Sequence, residues 1–512
     1  MRQATPRRAF VVIGILLTTF LAALDGTIVG TIMPTVIADV GGLDLYPWVA
    51  TAFMLASTVV TPLYGKLSDL FGHRRFIFVA IAVFLAGSAL CGAARTMPEL
   101  VAARAFQGAG AGGLFVMSFI VFGQIFSPEE RGRMQGLLSS VWGLSSVVGP
   151  AVGGFLVQWA SWRWAFYLNL PFGLLAVAMI ARTLHLPAPE HPVRPKIDWL
   201  GAFLFAVGAI GTLFALLKLG EGHPSPSVWL SLVLGLAATV TFVYHQLRTP
   251  EPLMPVRLFA RSIFRVPVLM GLLAGASLFS ASSFLPLFVQ GVLGANPTVT
   301  GTVLTMISFG WVAGSTLSGH LLNRFGFRRL AMSGAALMTL GFLLLALEPA
   351  HTTVFAIGRD NIILGLGMGC VVTSTLIAVQ TFAEPRMLGA ATSSVQLFRT
   401  IGGTLGLSML GGIQLGAFAR ALFTQAEKFS ATPALQAAYE HARAHPHAVL
   451  DPASRAALPP ALGEAMQQAL GSSLHAVFWL MLGLAVLNLI LSAFMPTNTP
   501  REAHEAAAVA AR

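Results

Sequence analysis

Two ionisable side chains stand inside runs that are otherwise almost purely apolar. Asp25 lies within LDGTIVGTIMP and Arg104 within LVAARAFQGAGAGG. A carboxylate in such a run is costly, and residues of this kind mark functional sites by default. Burial disfavours its charged form and a nearby cation favours it, so the group can be poised to take up and release a proton. An arginine stays charged in any such environment and needs an acid or a carbonyl as partner. Gln107, three residues after Arg104, shares a helical face with it. Asp25 is the only acid well inside an early apolar segment. Arg104 is therefore expected to hold Asp25 ionised, through a bidentate pair, until a proton arrives. A fixed structural ion pair is the competing reading. A second buried base, Arg399 in QLFRTIGGTLG, leaves three partners open: Asp360, a backbone carbonyl, or an anionic group of a substrate. Thr27, Gln107, Gln396 and Arg399 are the candidates for lining a substrate cavity.

Other chemistries find no support. The sequence has no GxxxxGK[ST] phosphate loop, no HExxH and no Ser-His-Asp arrangement. An enzyme is not expected, and no cofactor is expected either. Energy must come from an ion gradient or from the substrate's own gradient. Cys91 and Cys370 lie in different apolar segments, form no CxxC, and read as packing residues. The histidines form no metal constellation.

The elements that must position these groups are membrane helices. The chain has 512 residues, of which 55% are hydrophobic and 10% charged, with 36 Phe against 5 Tyr. A soluble domain carries about a quarter charged residues. A bilayer core about 30 Å thick needs about 20 helical residues per crossing. Fourteen candidate spans follow, near 10–32, 48–64, 76–94, 99–125, 134–158, 165–182, 199–218, 228–247, 266–290, 299–321, 330–347, 355–382, 388–418 and 473–495. The run after Arg7 and Arg8 outlasts a signal peptide's apolar region and reads as a retained first span. The net charge of +11 does not imply nucleic acid, because the bases sit in short loops. With the N-terminus inside, 21 of the 31 Lys and Arg fall in cytoplasmic segments. That excess predicts both termini in the cytoplasm and a multi-pass protein of the cell's inner membrane.

A repeat divides the chain. GKLSDLFGHRR begins at Gly65 and GHLLNRFGFRR at Gly319, 254 residues later. Gly65, Gly72, Arg74 and Arg75 match Gly319, Gly326, Arg328 and Arg329. Asp69 is Asn323 in the second copy, and Arg324 follows it. At the same offset Ser139-Ser140-Val141 matches Ser393-Ser394-Val395, and Gly149 matches Gly403. The expected domains are a six-helix bundle over 1–185, two inserted helices with linkers over 186–262, a second parallel six-helix bundle over 263–498, and a tail over 499–512. The second bundle would carry an outer loop at 419–472, with a helix starting near Pro459 or Pro460 as one reading of its end.

These motifs together resemble the Major Facilitator Superfamily, in its fourteen-span drug:proton antiporter branch. The loop motif of that family has the form G-x-x-x-D-R-x-G-R-R/K; Leu70 and His73 stand here where Arg is usual. Leu24, Asp25, Thr27, Val29 and Pro34 resemble the branch's first-span signature, with Gly30 in place of an Asn. Leu100, Arg104, Gln107 and Gly108 fit L-x-x-x-R-x-x-Q-G. Gly136, Gly143, Gly149, Pro150, Gly153 and Gly154 match the antiporter motif of the fifth span, except that Ser145 replaces one Gly. SWRWAFYLNLPFG, from Ser161, also resembles the fourteen-span exporters, with no chemistry evident in it.

The resemblance implies an all-α Major Facilitator fold, two parallel six-helix bundles plus two inserted helices. It also implies a proton-coupled exporter of hydrophobic, amphipathic or cationic molecules. An exporter of lipids or lipid-like molecules, and a sensor or scaffold that does not transport, are the alternatives. The loop motif is expected to act as a cytoplasmic latch. Gly65 lets two helices approach, Gly72 permits the turn, and Asp69 can accept from free N–H groups at a helix N-terminus of the other half. Arg74, Arg75 and the second copy's bases can pair with acids or lipid phosphates. The expected partners are the substrate, protons and membrane lipids, with no nucleic acid, around a monomer.

Overall fold

The computed structural model describes residues 5–42, 45–184, 186, 197–220, 225–295, 297–349, 352–384, 387–423, 460–500 and 502. Those residues form helices and turns, with no strand among them. The long helices are α1 (Thr5–Val40), α2 (Tyr46–Phe71), α3 (His73–Ala93), α4 (Met97–Ile125) and α5 (Pro128–Trp159). Next come α6 (Trp164–Thr183), with a turn at Leu168, then α7 (Trp199–Gly220), α8 (Pro226–Arg248) and α9 (Ser262–Leu287). The stretch Pro297–Leu347 is two helices joined at Gly326; we number them α10 before the glycine and α11 after it. The series ends with α12 (Val354–Phe382), α13 (Leu388–Phe423) and α14 (Pro460–Ser492). Among the described residues, thirteen helical stretches are long and apolar enough to cross a membrane. The break at Gly326 makes fourteen segments of them, the number expected from the sequence.

The repeat is visible in the turns. Gly72 has φ +98° and Gly326 φ +77°, so both sharp reversals use a backbone region open to glycine. It is visible in capping too. Thr96 accepts the Glu99 N–H at the start of α4, and Thr353 accepts the Ala356 N–H at the start of α12. Counted from those caps, Gly108 and Gly112 of α4 correspond to Gly365 and Gly369 of α12. The first two press on the backbone of Phe53 and Ser57 in α2, the second two on that of Ile307 and Trp311 in α10. Even the bond from Arg104 Nε to Val49 O (3.3 Å) has a counterpart, from Asn361 Nδ2 to Val303 O (3.2 Å).

The last helix differs from its apolar window. α14 begins at Pro460, so 460–472 of the expected outer loop is helical, as is 419–423 at the end of α13. Hydropathy marks the bilayer core, not the helix. Leu462, Met466 and Leu470, four residues apart, are buried against Phe288 and Val292 and extend the helix beyond that core. Residues 424–459, the linker 187–196 and most of the tail lie outside the described residues.

The inserted pair α7–α8 lies across a seam. α7 packs on α2 and on α13, which belong to different copies of the repeat. Phe214 stacks on Trp48 of α2 at 5.5 Å. Phe205 and Phe242 share a buried cluster with Leu397 of α13, against which Leu63 of α2 also packs. At the pair's end Asp198 accepts from Gly201 N–H (2.8 Å), Gln246 Nε2 (2.6 Å) and His245 Nε2 (2.8 Å). Burial pushes the Asp198 carboxyl up, but these bonds outweigh it and hold it below the ordinary value of 3.8. Its stabilisation is therefore present above that value and lost as pH falls through the lowered one. Asp198→Ala should lower the melting temperature of the detergent-solubilised protein equally at pH 5 and pH 8. The deficit should shrink only below about pH 4, read by thermal scans of both proteins.

Candidate functional site: a buried carboxylate–guanidinium network

α1, α3, α4 and α6 bring six polar side chains together in an apolar interior. Asp25 and Arg104 are each 2% exposed, Gln107 0% and Asn169 1%. Arg104 Nη1 donates to Asp25 Oδ2 at 2.5 Å and to Gln107 Oε1 at 2.7 Å. The other carboxylate oxygen accepts from Gln107 Nε2 (2.8 Å) and Asn169 Nδ2 (3.3 Å). Ser88 Oγ accepts from the same two amides, at 3.1 and 2.8 Å, and donates to Phe166 O at 2.9 Å. Cys91 Sγ donates to Gln107 Oε1 at 3.3 Å. The guanidinium lies 4.1 Å over the Phe53 ring.

The chemistry follows from this inventory. Asp25 receives only donors, which is the pattern of an ionised carboxylate. Two opposite charges removed from water remain tolerable only when paired and hydrogen-bonded, and both are. The pair is not bidentate as expected: Arg104 reaches Asp25 through one nitrogen, because its Nε is turned to Val49 O. The amides of Gln107 and Asn169 take the place of the second guanidinium bond. Were Asp25 to take a proton, Arg104 would keep Val49 O, Gln107 Oε1 and the Phe53 face but lose its counter-charge.

Sequence reading missed three members of the network. Asn169 sits in the Trp-rich SWRWAFYLNLPFG stretch, where no chemistry was evident; the signal available was a lone amide at the start of an apolar segment. Ser88 and Cys91 are small enough to pass as packing residues. Two expected cavity residues are placed elsewhere. Gln107 lies wholly inside the network. Thr27 Oγ1 donates to Leu24 O (2.9 Å) and Ser145 O (3.0 Å), at the contact between α1 and α5. There the antiporter-motif residue Gly149 faces it so closely that a Cβ would fall 1.9 Å from the hydroxyl. Gly153 packs near Thr31 and Ile28, Gly154 borders open space, and Pro150 lies within α5. Gly26 and Gly30, flanking this part of α1, also border open space.

A second set of contacts joins the two repeats. Asp69 Oδ1 and Oδ2 accept the N–H groups of Gly389 and Ala390, each at 2.9 Å, at the start of α13. A Cβ on Gly65 would meet Gly389 O at 2.6 Å and Ser393 Oγ at 2.3 Å. His73 Nε2 is 3.6 Å from Asp69. Arg74 donates to Ala181 O near the end of α6 (3.0 Å), and its counterpart Arg328 donates to Met495 O beyond α14 (2.8 Å). These two bases tie neighbouring elements within a repeat rather than across the seam. Gly319 packs on Gly132 of α5, where a Cβ would come within 2.2 Å. Arg75, Arg324 and Arg329 are exposed.

Arg131 adds a contact that the sequence concealed among loop bases. Its guanidinium donates to Gly123 O (2.5 Å) and Phe126 O (3.3 Å) at the end of α4, and to Gln380 O (3.3 Å) near the end of α12. Gln380 Nε2 in turn donates to Phe119 O at 3.2 Å. Gly123 and Gln380 occupy equivalent positions in the two repeats, counted from Thr96 and Thr353. One arginine therefore bridges two pseudo-equivalent carbonyls, and a cation at helix C-termini is the favourable polarity.

This architecture, a helical membrane protein of two repeats meeting at small residues and helix ends, defines a class of transporter. Residues 15–407 match the Major Facilitator Superfamily profile. The chain belongs to that superfamily. It is 37% identical over 410 residues to the multidrug transporter protein MdtP of Bacillus subtilis (strain 168), covering 80% of this chain and 75% of that one. It is 33% identical over 496 residues to multidrug resistance protein 3 of the same organism, covering 96% of each. Among solved structures, the human organic anion transporter MFSD10 (TETRAN) superposes with a TM-score of 0.63 over 96% of this chain and 100% of that one. At 15% identity that likeness concerns the fold alone.

Proposed function

We propose that this chain is a proton-coupled secondary exporter of hydrophobic, amphipathic or cationic small molecules, of the fourteen-span drug:proton antiporter branch. The observation that carries this reading is the network around Asp25: an ionised carboxylate held inside a membrane helix by one cation and two amides. Gain or loss of a proton changes the charge of such a group, and that change can bias one arrangement of the helices over another. The relatives named as multidrug transporters support the cargo class. The protein works as a monomer in the cell's inner membrane, with both termini cytoplasmic. Its two bundles, 1–185 and 263–498, rock about a central cavity so that each side opens in turn. Asp69 and Arg131 hold the cytoplasmic side closed, while Asp25 and Arg104 exchange the proton.

Purified protein in proteoliposomes tests this directly. An imposed pH gradient should drive ethidium across the membrane against its own gradient, and a protonophore should stop it. Ethidium movement indifferent to both would refute proton coupling.

A further inference from the structure

The exporter reading leaves one charge unexplained. Arg399 lies eleven residues past Leu388, the first residue of α13. At about 1.5 Å per residue it sits roughly 16 Å along the helix, near the middle of a bilayer core of about 30 Å. It is partly buried, and it makes no hydrogen bond or ion pair among the described residues. Arg104, the other arginine deep within a span, is matched by Asp25, and Arg359 near the start of α12 by Glu348 and Asp360. Asp360, one of the partners open in the sequence, is thus already engaged.

Among the described residues no other acid is at hand. α7, α9 and α13 contain no Asp or Glu. Asp69 of α2 is bound to the start of α13, Glu99 of α4 accepts the Arg95 N–H, and Glu464 of α14 is exposed. A guanidinium does not escape by losing its proton. Nor does the repeat require it. The position 254 residues earlier is Ser145, whose hydroxyl is satisfied by Val141 O at 2.8 Å.

A further unpartnered polar group lies beside it. Gln396, three residues before on the same face of α13, is 7% exposed, and its Oε1 has no partner. α9 packs along α13 so closely that a Cβ on Gly275 would fall 1.9 Å from Arg399 O. Buried polar groups are normally satisfied, and a group left open costs free energy that something else must recover. A cation and an amide one turn apart on the helix are complementary to oxygen-rich anionic head groups.

We propose that Arg399 and Gln396, at the α9–α13 seam, form a subsite for the anionic head group of an amphipathic molecule, a carboxylate or a phosphate monoester. This assigns a substrate class within the exporter reading, and rests on that reading only in treating the bound molecule as cargo. The guanidinium takes the anionic oxygens, Gln396 takes a remaining bond, and the apolar body lies among the membrane helices.

The experiment is equilibrium binding to the purified full-length protein. The probes are dansyl-aminoundecanoic acid and its methyl ester, which differ in charge and little else. Wild-type protein should bind the acid at least about tenfold more tightly than the ester, the scale of one charge-assisted bond. The ratio should fall to about one in Arg399→Gln and stay well above one in Arg399→Lys. Unlabelled laurate and dodecyl phosphate, as competitors, separate the two head groups. Preferential displacement by either supports the subsite, and displacement by neither overturns it. A ratio near one in wild type overturns it without recourse to any variant, as does a ratio unchanged in Arg399→Gln. A high ratio in a protein that shows no pH-driven ethidium movement would sink the exporter reading alone.

Discussion

Asp25→Asn is expected to reduce pH-driven ethidium transport to background. Asn is nearly isosteric and can still accept from Arg104, but it cannot carry the proton. It also leaves a buried guanidinium without its counter-charge, and breaking a buried pair from one side costs about 3–5 kcal/mol. Loss of transport alone would therefore not separate proton exchange from simple damage. The double variant Asp25→Asn/Arg104→Gln makes the separation. Removing both charges should restore much of the melting temperature, because neither charge is left stranded. Under the fixed-ion-pair reading it should restore transport as well. Under the present account pH-driven transport stays at background while stability recovers. Thermal scans and proteoliposome transport on the same three preparations decide between them.

The second large effect is expected at the closed seam. In Asp69→Asn one N–H at the start of α13 would face an amide NH₂ instead of an oxygen. Arg131→Ala would remove bonds to both repeats at once. Hydrogen bonds to charged groups contribute about 1.5–3 kcal/mol each. Losing one such contact should change the ratio of closed to open molecules by about tenfold or more. Spin labels at Arg75 and Arg329, both exposed at this end, report the change as a second, longer distance in a background lacking Cys91 and Cys370. The double variant Asp69→Asn/Arg131→Ala should be the most open of the series. A distance distribution identical to wild type in all three variants would mean that these contacts do not hold the seam.

What was legible in the sequence was what repeats or stands out against an apolar background. Gly65 and Gly319 announced the repeat, and Asp69 announced its helix-end contact because an acid beside bases and glycines has few other uses. Asp25 and Arg104 were found for the same reason, as charges in lipid-facing company. The contributors that were missed are uncharged or disguised. Asn169 is a single amide on a distant helix, and only packing of α6 against α1 and α3 brings it to Asp25. Arg131 was counted among loop bases that follow the membrane's polarity, and nothing local says that it spans two helix ends. The sequence permits a start of α14 at Pro460 without requiring it, because apolar residues four apart signal a helix without saying what covers it. Thr27 shows the converse error: two residues from Asp25 and therefore on another side of α1, it faces a glycine of α5, and which neighbour covers that side depends on the rotation of α1.

The account depends on Asp25 itself gaining and losing the proton. The most direct measurement is the pH dependence of ethidium binding to the purified protein in detergent solution, read by fluorescence. In wild type the affinity should fall as the pH is lowered, because cation and proton exclude each other through Asp25. Asp25→Asn/Arg104→Gln should bind ethidium with an affinity that lacks this dependence. A dependence undiminished in the double variant, or an affinity independent of pH in wild type, would contradict the account.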